Sequence, residues 1–169
     1  MTPNTGYLLA LDQGTTSTRA MAFDLQGREL ARHQIELKQF YPHPGWVEHD
    51  PEEIWQAARA VIAQVLKALP GQAPLGLGIT NQRETIVLWD RKTGKAVHNA
   101  IVWQDRRTAE ACRHLVDAGH EQAITEKTGL LLDPYFSATK LKWLLDHDPD
   151  FRRRADRCLS ACSASHSTM

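Results

Sequence analysis

The first eighty residues impose one order of elements. Short apolar runs alternate with turn segments: Tyr7–Asp12, a polar turn at 13–18, Arg19–Asp24, a second turn at 25–28, then Glu29–Lys38. Alternation on this scale specifies a three-stranded antiparallel meander. The segment 41–45 holds two prolines and a glycine and must be a loop. Beyond it, Asp50 offers an N-cap oxygen, Pro51 suits the first helical position, and Glu53 stands where a capping-box carboxylate reaches back to the cap N–H. Ile54, Trp55, Ala58, Val61, Ile62, Val65, Leu66 and Leu69 then recur at helical spacing as one apolar face, which Pro70-Gly71 ends. Leu75–Ile79 reads as a short buried strand.

Downstream, Thr85–Asp90 and Ala96–Trp103 form an expected hairpin around residues 91–95. Helices are expected at Thr108–Ala118, Glu121–Lys127 and Ser137–Asp146, the last with Ser137 as cap and Leu141, Leu144 and Leu145 on one side. Asp105, beside two arginines, reads as a helix cap. Trp46, Trp55, Trp89 and Trp143 have no polar cluster beside them in sequence and are assigned to structure. Residues 156–169 differ in composition: serines accumulate, and no large apolar residue follows Leu159 except the terminal Met169. No core element is expected there, so the chain divides into a lobe at 1–155 and an atypical, disordered or out-of-frame tail at 156–169. The order β-β-β-α-β is how an actin-like or ribonuclease-H-like ATPase lobe begins, and the fold class is therefore α/β with a mixed sheet that opens on the meander.

Composition excludes several classes of function. Twenty Lys+Arg balance twenty Asp+Glu over 169 residues, which argues against a basic nucleic-acid arm and against an acidic solvating tail. The early apolar run is too short for a membrane span and lacks the basic flank of a signal peptide, so a cytoplasmic protein is expected. Three cysteines, Cys112, Cys158 and Cys162, make neither a disulfide framework nor a zinc knuckle.

Two polar constellations could carry chemistry. Asp12-Gln13-Gly14-Thr15-Thr16-Ser17-Thr18-Arg19 sits at the tip of the first hairpin. Its glycine permits close backbone approach, its hydroxyls are donors to phosphate oxygens, Asp12 is placed to hold magnesium through water, and Arg19 can neutralise a phosphoryl group. The same residues also suit an ordinary β-turn with exposed hydroxyls. No P-loop motif occurs, and Asn81 replaces the third glycine of a dinucleotide fingerprint. The second constellation is Asn81-Gln82-Arg83-Glu84 at the end of an apolar strand. A guanidinium fork beside a carboxylate suits neighbouring hydroxyls of a polyol, although a local ion pair on a solvated loop is the competing reading. Trp103 and Tyr135 supply an indole face and a phenol that fit a small polyol, or alternatively pack into the core.

These segments, together with Pro44-Gly45-Trp46-Val47-Glu48-His49-Asp50-Pro51, Asn99-Ala100-Ile101-Val102-Trp103-Gln104 and Asp133-Pro134-Tyr135-Phe136-Ser137, closely resemble the glycerol kinases of the carbohydrate-kinase family, from about Tyr7 to about Ala155. The resemblance implies ATP- and Mg2+-dependent phosphorylation of glycerol to sn-glycerol 3-phosphate on an actin-like two-lobed fold. On matching positions it implies nucleotide contacts at Thr15, Thr16, Ser17 and Arg19, with Asp12 near the metal through water. Thr15, Arg83, Glu84, Trp103 and Tyr135 would form the glycerol site. The family's general base lies in a second lobe, so no catalytic base is assigned here, and the chain alone is expected to lack kinase activity. Another sugar or polyol kinase of the family, and a non-catalytic glycerol-binding module, remain alternatives. Glycerol and ATP or ADP are the expected partners, and homo-oligomerisation of a full-length form is left open.

Overall fold

The computed structural model describes residues 6–163. Two compact units emerge, one built from Met1–Lys38 with Asp50–Gln82, the other from Gln39–His49 with Arg83–Met169.

In the first unit, β1 (Tyr7–Gln13), β2 (Ser17–Phe23) and β3 (Glu29–Glu36) form the expected antiparallel meander, and β5 (Pro74–Asn81) lies parallel to β1, giving the order β3-β2-β1-β5. The chain returns to β5 through helix α1 (Pro51–Ala68), the crossover that a parallel neighbour requires. Alternation decides which side chains meet that helix: Tyr7, Leu9 and Leu11 of β1 and Ala20 and Ala22 of β2 point to one face and pack with Ala58, Val61 and Val65. The alanines leave room for α1 to approach the sheet. Each large apolar side chain so buried contributes about 1.5–3 kcal/mol.

The start of α1 corrects one detail of the sequence reading. Asp50 caps the helix, its carboxylate accepting from Glu52 N at 2.8 Å, with Pro51 in the first turn. Glu53 makes no capping box; its Oε1 accepts from Lys38 N at 2.9 Å and so ties the end of the meander to the helix. Trp55 and Leu66 belong to the apolar periodicity, yet they are 58 % and 41 % exposed, since the helix buries a stripe narrower than its apolar face. Strand β5 is also not buried. It is the sheet edge, and Leu75, Leu77 and Ile79 are all more than half exposed, because α1 lies over the meander.

The second unit holds a sheet in the order β4-β7-β6-β8, with β4 at Glu48–His49, β6 at Ile86–Asp90, β7 at Ala100–Ile101 and β8 at Leu159–Ser163. The hairpin expected at 85–103 exists as a turn closed by Asp90 N to Lys95 O at 2.9 Å, but its return strand is only the two residues of β7. Helices α2 (Ala109–Asp117), α3 (Glu121–Thr128), α4 (Ser137–His147) and α5 (Pro149–Cys158) follow. Ile86, Leu88, Ile101, Leu144 and Phe151 make the apolar core.

Two expectations are revised here. Residues 156–163 are not featureless: α5 continues to Cys158 and β8 pairs antiparallel with β6, from Ile86↔Ser163 to Asp90↔Leu159. Backbone pairing asks little of side-chain type, so the serine-rich composition was a poor guide. Residues 164–169 of the expected tail lie outside the described residues. Asp105 is not a helix cap; Thr108 occupies the cap position of α2. Asp105 is instead fully buried, its carboxylate accepting from Val47 N at 2.6 Å and from Arg107 N, Nε and Nη2, each at 2.9 Å.

Arg107 completes that arrangement. Its Nη2 also reaches Glu48 Oε1 at 2.7 Å, and its guanidinium lies 3.9 Å from the Trp46 ring centroid and 4.8 Å from that of Trp143. Two indoles assigned to plain packing thus flank a buried cation.

Candidate functional site

Within the first unit, the hairpin tip at Gly14–Ser17 is the first candidate. Gly14 N donates to Ser17 O at 3.0 Å, and a side chain on Gly14 would place its Cβ 3.0 Å from that same oxygen, so the tight turn selects glycine. Below it, Gln13 Nε2 donates to the buried Thr18 Oγ1 at 2.6 Å. Three carbonyls of the turn are engaged by protein donors: Gly14 O by Gln82 Nε2 at 3.3 Å, Thr16 O by Leu37 N at 2.9 Å, and Ser17 O by Gly14 N. Thr16 is exposed, and Thr15 and Ser17 are half-buried.

Register places the charged pair. Asp12 stands directly opposite Arg19, and Arg19 opposite Gln34. The neighbouring pair Leu11↔Ala20 faces α1, so Asp12 and Arg19 project from the other face of the sheet. Arg19 Nε donates to Gln34 Oε1 at 2.8 Å, an aim that keeps the guanidinium in that row.

The second unit collects the other residues of interest. Glu84 adopts φ 61°, the only non-glycine residue in the left-handed region among those described, a conformation that costs on the order of 1 kcal/mol and persists only when neighbours over-determine it. Its carboxylate is buried, and Oε2 accepts from Ser137 N at 3.1 Å and Ser137 Oγ at 2.7 Å. Ser137 is therefore the first residue of α4 and not its cap, which is Phe136 without a side-chain hydrogen bond. A carboxylate at a helix N-terminus is favoured by the exposed N–H groups and the helix dipole.

Trp103 and Tyr135 meet edge to face, with ring centroids 5.8 Å apart. Trp103 N donates to Thr85 Oγ1 at 3.3 Å, which holds the indole-bearing segment beside the residue after Glu84. Tyr135 N donates to Asp133 Oδ1 at 2.7 Å, and Arg106 pairs with Asp133 at 3.5 Å. Arg83 is exposed in the turn that precedes Glu84. Glu84, Trp103 and Tyr135 are thus brought together from three distant stretches of chain, with Arg83 adjacent through the backbone.

One member of this cluster escaped the sequence reading. Lys140 is fully buried, and its Nζ donates to Glu84 O at 2.9 Å and Tyr135 O at 2.6 Å. Burial pushes its pKa down to about 8, opposed by the carboxylates of Asp105, Glu84 and Asp133 and reinforced by Arg107. A signal was present: Lys140 lies four residues before Leu144, so it occupies the buried stripe of α4 where an ammonium group demands an explanation.

Comparison with known proteins gives the family and the fold. Residues 7–165 match the FGGY family of carbohydrate kinases, N-terminal domain. Glycerol kinase of Alkalilimnicola ehrlichii is 58 % identical over 151 residues, covering 88 % of this chain and 30 % of that protein, and glycerol kinase of Rhodospirillum rubrum is 57 % identical over 152 residues, covering 89 % and 31 %. The chain therefore spans about 30 % of the length of these curated relatives. Among solved structures, Plasmodium falciparum glycerol kinase with ADP superposes with a TM-score of 0.88 at 33 % identity, over 94 % of this chain and 32 % of that one. Xylulose kinase from Rhodospirillum rubrum gives 0.84 at 28 % identity, over 94 % and 32 %. Those kinases share the actin-like ATPase fold expected from the β-β-β-α-β order. By its sequence and by its fold, this chain belongs to the FGGY family of carbohydrate kinases and corresponds to their N-terminal domain.

Proposed function

We propose that the chain supplies the polyol site and the phosphate turn of an ATP-dependent glycerol kinase. The observation that carries this reading is the meeting of Glu84, Trp103 and Tyr135 in one unit, next to the exposed Arg83. Ser137 occupies Oε2 of Glu84 and orients the carboxylate, leaving Oε1 to accept from a hydroxyl of the ligand. The guanidinium of Arg83 donates to a neighbouring hydroxyl, and the Trp103–Tyr135 pair covers the carbon skeleton. Glycerol is favoured over larger sugars by the identity of 58 % and 57 % to two glycerol kinases.

The residues of the hairpin tip suit a nucleotide phosphate. Three of the turn carbonyls are already engaged, Gly14 admits close approach, and Thr15, Thr16, Ser17 and Arg19 are donors. Asp12 would hold Mg2+ through water: among the described residues no three His, Cys, Asp or Glu side chains gather as a metal cage, and Mg2+ commonly keeps several waters beside one carboxylate and the phosphates. When bound, the magnesium nucleotide supplies the phosphoryl group; this chain orients the acceptor hydroxyl and the phosphates. Glycerol, ATP or ADP, and a cytoplasmic setting complete the reading, and no described helix is long and apolar enough to cross a membrane.

The test is a ligand titration of the chain followed by the indole Nε1–H resonance of Trp103, assigned through Trp103→Phe. Glycerol should shift that resonance saturably, and Arg83→Ala should weaken the response. A larger response to xylulose or gluconate at equal concentration would replace glycerol by another sugar. A silent Trp103 with every polyol would remove the site assignment altogether.

A further inference from the structure

We propose that Lys140 is a positioning residue for the polyol site, holding the backbone of Glu84 and of Tyr135 against the first turn of α4. The inference rests on the polyol reading of Glu84 and Tyr135 above.

The ammonium group is a poor filler for this place. It is fully buried on the stripe of α4 that also carries Leu144, where an apolar side chain of similar length would avoid the desolvation penalty. What it does that no apolar residue could do is donate to two carbonyls at once, Glu84 O at 2.9 Å and Tyr135 O at 2.6 Å. Both carbonyls belong to irregular backbone. Tyr135 precedes the cap Phe136 and so lies outside the hydrogen-bond ladder of α4, while Glu84 sits at φ 61°. Left alone, neither segment has a regular structure to set its place.

Helix α4 grips Glu84 at both ends. Ser137 N and Oγ hold the carboxylate, and Lys140, three residues on and on the same face, holds the carbonyl of the same residue. The grip fixes the backbone and the side-chain direction together, which is what a strained residue needs to stay where a ligand meets it. Through Tyr135 O the same ammonium sets the approach of the phenol to Trp103. Lys140 itself faces only protein, so it acts through these residues and not on the ligand.

Two protein forms and one titration test this. Lys140→Met keeps the length and removes the donors; Lys140→Arg keeps a cation with donors. Glycerol affinity is read from the Trp103 indole resonance, and folding from the thermal transition and the dispersion of the amide spectrum. Lys140→Met should fold and bind glycerol at least about tenfold more weakly, the size expected when one charged hydrogen-bond donor is lost, and Lys140→Arg should recover part of the loss. A folded Lys140→Met that binds glycerol as tightly as the parent overturns the proposal and leaves the polyol reading intact. A parent chain that binds no polyol overturns both.

Should Lys140→Met fail to fold, the parent protein still answers. The carbonyl carbons of Glu84 and Tyr135 should titrate together with the Lys140 side chain, whose midpoint lies at about 8, and glycerol should bind more weakly through the same interval. The charged groups that act on this ammonium through space are Asp105, Glu84, Asp133 and Arg107. Carbonyl carbons that stay unmoved while Lys140 loses its proton would overturn the proposal.

Discussion

The hairpin tip of the first unit and the Glu84 cluster of the second are built by different means. At the tip, the turn closes on itself, Gly14 with Ser17, Gln13 with Thr18 and Asp12 opposite Arg19 across one hairpin, while Leu37 N and Gln82 Nε2 reach its carbonyls from farther along the chain. The cluster is assembled from Glu84, Trp103, Tyr135 and Ser137, whose polar links span up to fifty-six residues when the Lys140–Glu84 bond is included. A local site is specified by turn chemistry. A distributed one needs scaffolding, and here the scaffold is charged: Lys140 on two carbonyls, and Arg107 on Glu48 and Asp105. The comparison teaches that the second unit holds buried ions in its interior, whereas the described residues of the first unit show none.

The largest test of that contrast is Arg107→Met. It leaves Glu48 and Asp105 buried without their cation, so unfolding by denaturant should show a loss of about 3–5 kcal/mol, with the amides of β6 and α4 exchanging first. A loss below about 1 kcal/mol would show that the charged scaffold is dispensable. The corresponding change in the first unit is apolar. Leu9→Ala, at a side chain only 4 % exposed between sheet and α1, should destabilise by about 2–5 kcal/mol in the same measurement.

The pH dependence separates the units further. Burial depresses the Lys140 pKa from 10.5 to about 8, so between about pH 8 and 10.5 the unfolded chain binds more protons than the native one, and stability from this group rises with pH over that window. Below about 8 both states carry the proton and the burial penalty is fully present. Denaturant unfolding at pH 7.5 and pH 10 should therefore show a gain that is smaller in Lys140→Met; equal gains would mean that the group does not titrate there. Asp50→Ala removes the cap of α1 and should cost about 1 kcal/mol. Trp55→Ala should lie within about 0.5 kcal/mol of the parent, since its side chain is largely in solvent.

Legibility followed the range of the interactions. The meander, Asp50 at the start of α1 and the crossover to β5 were readable because capping and two-residue alternation are local rules. Burial was readable only where an element has a partner. The apolar run of β5 implied a covered strand, yet α1 lies over the meander and leaves Leu77 and Ile79 in solvent. Likewise Trp46 and Trp143 carried no sign of the guanidinium between them, because Arg107 is distant from both in sequence.

Chain chemistry on its own therefore settled the order of the elements from the meander through α1 to β5 and the glycine at the hairpin tip, while Arg83, Glu84, Trp103 and Tyr135 stood out beside an ion-pair or packing alternative. Tertiary structure decided that Glu84 would sit at φ 61°, that Ser137 would serve a carboxylate instead of a helix cap, that Asp105 would leave the α2 terminus for a buried ion network, and that Lys140 would be interior. The division has one physical cause. Turns, caps and alternation are governed by neighbours within a few residues, whereas the environment of a charge depends on which other segments exclude water from it.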